Sequence, residues 1–275
     1  VVAVQAGFHT LAGRDVPRLL VANRGLLAPG FAIATRSTDR ALAAVAQAAH
    51  DFAGAPDPSH EARLAERMAD WASDLRLAPG QGLLVAEADL AGGLPGRARQ
   101  PDYGIAPRIA LHLARALRAR FGEGLDLRLL YLTQEAGPWL ADLHWILARQ
   151  SNLTVPAERF CRDHAALARF DAVLAAIAGA VSGAVPGARV ETAAVDGPAA
   201  RLGPGEALLQ LAGLAAEARA ALRPAPVEDP RPPYDLADAF VALNRAHIPP
   251  DALKRLKLAL LASAELDRDL QGTQR

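Results

Sequence analysis

Val1-Val2-Ala3-Val4-Gln5-Ala6-Gly7-Phe8-His9-Thr10-Leu11-Ala12-Gly13-Arg14-Asp15 opens the chain, and its reading decides the fold. Residues 1–5 are a short apolar run that reads as a strand, 6–14 are a loop holding Gly7 and Gly13, and 15–27 follow helical spacing. A strand, a glycine loop and a helix form the arrangement in which α/β proteins hold phosphate, because free backbone N–H groups at the helix start face the ligand. The loop departs from that design: five residues separate its glycines, it has no lysine, and Asp15 stands where a hydroxyl would be wanted. Asp15 is expected to be the N-cap of the helix, with Pro17 tolerated in its first turn.

Working outward, Phe31–Ala34 suits a second short strand. Helices are expected over 39–52 and 60–76, the second capped by Ser59, with Met68 and Trp71 in the core. Gly82–Glu87 is a buried-type strand ending in acid, and 91–106, rich in Gly and Pro, is expected to be a long surface loop. A helix over 109–121 precedes the strongest strand, Leu125–Thr133. Further helices are expected over 139–149, within 157–180 and over 204–220, with a last strand at 188–193. Residues 223–234 carry Pro224, Pro226, Pro230, Pro232 and Pro233 and read as a stiff connector. The tail helices, 236–244 and 251–266, are expected to pack on the body. Strands alternating with helices predict an α/β fold whose mainly parallel sheet has about four or five strands, with 1–5 at its heart and 83–87 and 126–133 alongside. The expected domains are an α/β domain at 1–222, a connector at 223–235 and a helical tail at 236–275.

Composition narrows the classes. The 275 residues hold 30 Lys+Arg and 30 Asp+Glu, a balance that argues against a general nucleic-acid binder. Lys254 and Lys257 are the chain's only lysines, a skew toward arginine in keeping with a GC-rich genome. Cys161 is alone, so no internal disulfide forms; it is expected to be a small buried hydrophobe in a cytoplasmic protein. No apolar run approaches the ~20 residues of a spanning helix, so no membrane insertion is expected. The chain opens on Val1 rather than methionine, which predicts that a few N-terminal residues are missing.

Ligands in such folds bind outside the carboxyl ends of the strands, which places the segments 6–15, 87–96 and 133–142 near one another. Their residues resemble a bacterial sulfotransferase-like family of the P-loop nucleotide-binding superfamily. That family's first loop reads roughly Gly-Phe-Pro-Lys-Thr-Gly-Thr-Thr-Ser, followed by a helix ending near Asn-Arg. Here Gly7-Phe8 keeps the opening and Asn23-Arg24 arrives at the expected distance. Leu83 to Gly92 looks like the family's strand followed by Ser-Glu-Glu-Asn-Leu-x-Gly. Thr133-Gln134-Glu135-Ala136-Gly137-Pro138-Trp139-Leu140-Ala141-Asp142 looks like Thr-Arg-Glu-x-x-x-Trp-Leu-x-Ser, and Leu243-Asn244-Arg245 matches an element near the family's end.

The resemblance implies a donor, 3′-phosphoadenosine 5′-phosphosulfate, held by Gly7, Phe8, His9, Thr10, Gly13, Arg14, Gln134 and Asp142, with Glu87 and Asp89 as the acid/base pair. The departures fall on those positions. The family's phosphosulfate lysine falls at Thr10, its Gly-Thr-Thr-Ser run at Ala12-Gly13-Arg14-Asp15, the arginine and serine that hold the 3′-phosphate at Gln134 and Asp142, and the second strand-end glutamate at Ala88. Glutamine cannot replace arginine's forked cation, and Asp142 puts negative charge where a dianion should sit. Arg14 is the one group that could stand in for the lysine. Asp142, His144 and Glu135 do not make a metal site, because residues two apart on a helix point away from each other. Arg97 and Arg99 read as solvated.

Three functions stay open on the sequence. One is a descendant with a degenerate donor site that binds or assembles with a small molecule, glycan or protein. The second is an active sulfotransferase with Glu87 as base and an unknown, carbohydrate-like acceptor. The third is a transferase using another phosphorylated or nucleotide-sugar donor.

Overall fold

The structure, a computed structural model, describes residues 1–150, 152–196, 200–225 and 235–272. Most of the predicted connector, 226–234, lies outside them. The chain divides into two compact units, Val1–Glu135 with Arg169–Val227, and Ala136–Ala168 with Glu228–Arg275.

In chain order the elements are β1 (Val2–Gly7), a 3-10 turn (Ala12–Arg14), α1 (Asp15–Ala22), α2 (Arg24–Leu27), β2 (Phe31–Thr35), α3 (Arg40–Gly54), α4 (Pro58–Asp74), β3 (Gly82–Ala86), α5 (Ala106–Phe121) and β4 (Leu127–Thr133). They continue with α6 (Ala136–Gln150), α7 (Ala157–Asp163), a 3-10 turn (Ala165–Ala168), α8 (Asp171–Ala184), β5 (Arg189–Ala194), α9 (Gly205–Leu211), α10 (Ala216–Ala220), α11 (Asp235–Arg245) and α12 (Pro250–Gly272).

In the first unit the five strands form one parallel sheet in the order β2-β3-β1-β4-β5. The expected α/β fold is the observed one, with β1 central between β3 and β4. Alternation along each strand builds a core on each face. Ala3, Leu84, Ala86, Leu130 and Leu132 join Val16, Leu19 and Leu20 of α1 and Leu208 and Leu209 of α9 in one buried cluster. Val2, Val4, Leu83, Val85, Leu129 and Tyr131 are equally buried and turn the other way. On that side α3, α4, α5 and α8 pack against one another in series. From β1 the chain first crosses to the β2 edge, and every later crossover runs back toward β5. The C-terminal end of β1 is therefore the crevice where such sheets bind ligands.

Several local expectations are corrected. The first helix breaks at Asn23, whose Nδ2 donates to the carbonyls of Leu19 (2.9 Å) and Arg223 (2.8 Å) while its Oδ1 accepts from the Arg223 amide. Asp57, not Ser59, caps α4: its carboxylate accepts from the amides of Ser59 (2.8 Å) and His60 (3.0 Å), with Pro58 in the first turn. The helix expected over 204–220 is two, α9 and α10, parted at Gly213, whose φ of 85° is left-handed. The loop expected on the surface at 91–106 is largely inside: Leu90, Ala91, Gly92, Gly93, Gln100 and Tyr103 are buried.

The second unit is helical. Trp139 and Trp145 of α6 are both buried, and Trp145 meets Phe240 of α11 edge-on with ring centroids 6.5 Å apart. Lys257 of α12 donates to the carbonyls of Ala148 (2.8 Å) and Arg149 (3.2 Å), neutralising the negative end of α6. Burial lowers its pKa. Cys161 is half-buried rather than fully buried, and burial pushes its thiol up. Among the described residues no helix is long and apolar enough to cross a membrane.

Candidate functional site

β1 ends in Gly7, whose φ of 135° and closeness to the next loop exclude a side chain: a Cβ there would sit 2.6 Å from that of Ala91. From this pivot Phe8 turns fully inward. Its ring lies 4.6 Å from Phe170, 4.5 Å from Tyr103 and 5.1 Å from Tyr131. The residue that follows the central strand is thus packed into an aromatic cluster.

Five of the eight amides from Phe8 to Asp15 are engaged. Phe8 donates to the Leu132 carbonyl (3.2 Å), His9 to the Tyr103 hydroxyl (3.1 Å), Gly13 to Thr10 Oγ1 (2.9 Å) and Arg14 to the Leu11 carbonyl (3.3 Å). Asp15 donates back into the turn, to the carbonyls of Ala12 and Gly13. It is not the N-cap: the helical path begins one 3-10 turn earlier, so Asp15 already stands inside the first turn, paired with Arg18 at 3.4 Å. Thr10 does the capping expected of Asp15. It is buried, and its oxygen takes a turn amide that an anion would otherwise receive. Arg14 is exposed and Gln134 is buried just past β4. Asp142, buried in α6, belongs to the second unit.

Glu87 and Asp89 do come together at the end of β3, in a network the sequence did not reveal. Arg36, just beyond β2, grips Glu87 with two bonds of 2.9 Å, Nε to Oε2 and Nη2 to Oε1, and also donates to Asp89. Glu87 Oε1 further accepts the amide of Asp89 at 3.0 Å. The second Asp89 oxygen lies 2.7 Å from His9 Nε2, and His9 Nδ1 lies 2.9 Å from the Tyr103 hydroxyl.

Burial works against a charged Asp89, but the hydrogen bond and charge of His9 and the charge of Arg36 outweigh it and hold the carboxyl at about 2. Arg36 is raised above its ordinary range, chiefly by its bond to Glu87 and against its own desolvation. Burial pushes the Tyr103 phenol well up. Asp89 is therefore ionised, and both carboxylates are occupied. The arrangement ties three loops into a latch, and neither acid is free to take a proton from a substrate. Among the described residues no cluster of His, Cys, Asp and Glu could hold a metal ion.

Arg36 and Tyr103 are the members that sequence reasoning missed. Neither carries a local signal, since Arg36 lies 51 residues from Glu87 and Tyr103 lies 94 from His9. In comparisons with known proteins, no family model, curated protein or solved structure matches the chain.

Proposed function

We propose that this chain is a non-catalytic member of the sulfotransferase-like fold it resembles, working as a binding or assembly protein with its donor site closed. The observation that supports this reading is the internally bonded loop. The amides of Phe8, His9, Gly13, Arg14 and Asp15 all donate within the first unit. A phosphate cradle needs its amides free. The strand–loop–helix order survives as scaffolding. The enzyme readings ask Glu87 to act as a base, yet both of its oxygens accept from Arg36.

Calorimetric titration with adenosine 3′,5′-bisphosphate tests the reading. No binding at the loop after β1 is expected below about 1 mM, a threshold equivalent to roughly 4 kcal/mol. Side-chain repair is expected to fail as well: Thr10→Lys with Gln134→Arg and Asp142→Ser restores the family's charges and hydroxyl but leaves the amides of Gly13, Arg14 and Asp15 engaged in the turn. A micromolar dissociation constant for the unmodified chain at the loop would overturn the proposal.

A further inference from the structure

The loop after β3 makes a second concave site in the first unit, separate from the latch. His50 and Asp51 near the end of α3, His60 in the first turn of α4, and Arg97, Arg99 and Gln100 of the loop line a cavity of about 300 Å³. The two arginines were expected to be solvated. Arg99 is exposed, but Arg97 is half-buried, with its Nε sealed from solvent and without a hydrogen-bond partner among the described residues. No carboxylate among them lies within ion-pair distance of either guanidinium, although the chain pairs many of its other arginines. The sealed Nε lies beyond a ligand's reach, so the donors that the two arginines offer the cavity are their terminal guanidinium nitrogens, which no carboxylate among the described residues pairs.

The rest of the cavity points to the same chemistry. His60 Nδ1 lies 2.7 Å from Asp57 Oδ2, which fixes the ring and leaves Nε2 as its other polar atom. The His50 ring rests on Gly93, where a Cβ would come within 2.4 Å of Nδ1, so the loop backbone approaches the ring as only glycine permits. Gln100 anchors this approach by donating to the Gly93 carbonyl, and the paired Arg97 and Gln100 backbones (3.1 and 3.0 Å) hold the tip carrying the arginines. Asp51 is the one acid in the lining, and it accepts from Gln47 at 2.8 Å. Two guanidiniums and two imidazoles line the cavity with Asp51, and Asp57 stands behind His60. Guanidinium forks match phosphate oxygens in pairs, and the volume lies at the small end of the range for metabolite sites.

We infer that the His50–His60–Arg97–Arg99 cavity binds the phosphate group of a small metabolite. The site stands outside the closed loop and does not depend on the function proposed above. Titration of the full chain with phenyl phosphate and with inorganic phosphate, followed by calorimetry and by phosphorus NMR, tests it. Saturable binding below about 1 mM is expected, weakened about tenfold or more in Arg97→Gln. Arg99→Ala, an exposed change on the same loop, is expected to weaken it less. Tighter binding of the ester would identify a phosphomonoester ligand, and tighter binding of the free ion would identify phosphate itself; both support the site. Arg97→Gln should melt at the wild-type temperature without ligand, since its backbone bonds hold the loop. Absence of saturable binding, or binding unchanged in Arg97→Gln, would overturn the inference. Repeating the bisphosphate titration in Arg97→Gln separates the two sites: affinity lost there belongs to the cavity, and affinity retained there belongs to the loop after β1.

Discussion

The loops after β1 and after β3 leave neighbouring strands of one sheet, yet they treat their polar groups in opposite ways. After β1, five amides have partners inside the unit and Phe8 is sealed. After β3, the chain buries Leu90, Ala91 and Tyr103 but carries Arg97 and Arg99 to a cavity where no carboxylate among the described residues lies within ion-pair distance of either guanidinium. Position at the C-terminal edge of a parallel sheet does not by itself make a binding site. What decides is whether the loop's donors already have acceptors, because a matched donor offers a ligand nothing beyond what it must give up.

The largest effect should come from removing the residue that closes the first loop. Phe8 is fully buried among Tyr103, Tyr131 and Phe170. Phe8→Ala is expected to destabilise the first unit by about 3–5 kcal/mol in urea unfolding, from lost transfer energy and the cavity left behind. A loss under about 1 kcal/mol would mean that this ring does not anchor the loop, and the contrast between the loops would weaken with it.

Much of the fold could be read from residue order, because a buried parallel strand has a strong local signature. Val1–Gln5 and Leu125–Thr133 are apolar runs too short for helices, and Leu64, Met68 and Trp71 recur at helical spacing. The site was half legible. Glu87 and Asp89 were placed correctly at a strand end, but their partners arrive from distant segments, so no spacing rule reaches them. Charge type alone suggested a free acid pair; the fold supplied Arg36 and His9, which makes the pair a latch. The errors at Ser59 and Asp15 have a different origin. In each case two capping residues lie within a few positions, and the backbone path, not composition, selects which of them meets the free amides.

The latch itself gives an effect of intermediate size with a defined pH window. Asp89 is held at about 2 in the folded chain against an ordinary 3.8, so the unfolded chain binds the proton more readily. Its contribution is therefore complete above about pH 4 and is lost as pH falls through the folded value. At pH 7, Asp89→Asn is expected to cost about 2 kcal/mol, the worth of a shift of this size. By about pH 2 the difference between wild type and variant should shrink toward zero. A difference that held constant from pH 7 to pH 2 would show that the carboxylate's charge is not what ties the loops after β1, β2 and β3 together.

The smallest effect separates the two candidate caps inside the closed loop. Thr10 Oγ1 receives the Gly13 amide at 2.9 Å in a buried setting, so Thr10→Val keeps the shape and removes the acceptor. That change should cost about 1 kcal/mol, as losing a cap usually does. Thr10→Ser, which keeps the oxygen, should recover most of it. Asp15 stands within the first turn of α1 and contributes through the helix dipole and Arg18, so Asp15→Ala should cost only about 0.3–0.5 kcal/mol at low salt. The ordering of the two variants is the informative quantity, because each measures where the turn's free amides find an acceptor. If Asp15→Ala were the costlier change, the carboxylate would be the true cap and the 3-10 turn a minor path. The Gly13 amide would then be available to an anion, and the loop after β1 would regain the character of an open site.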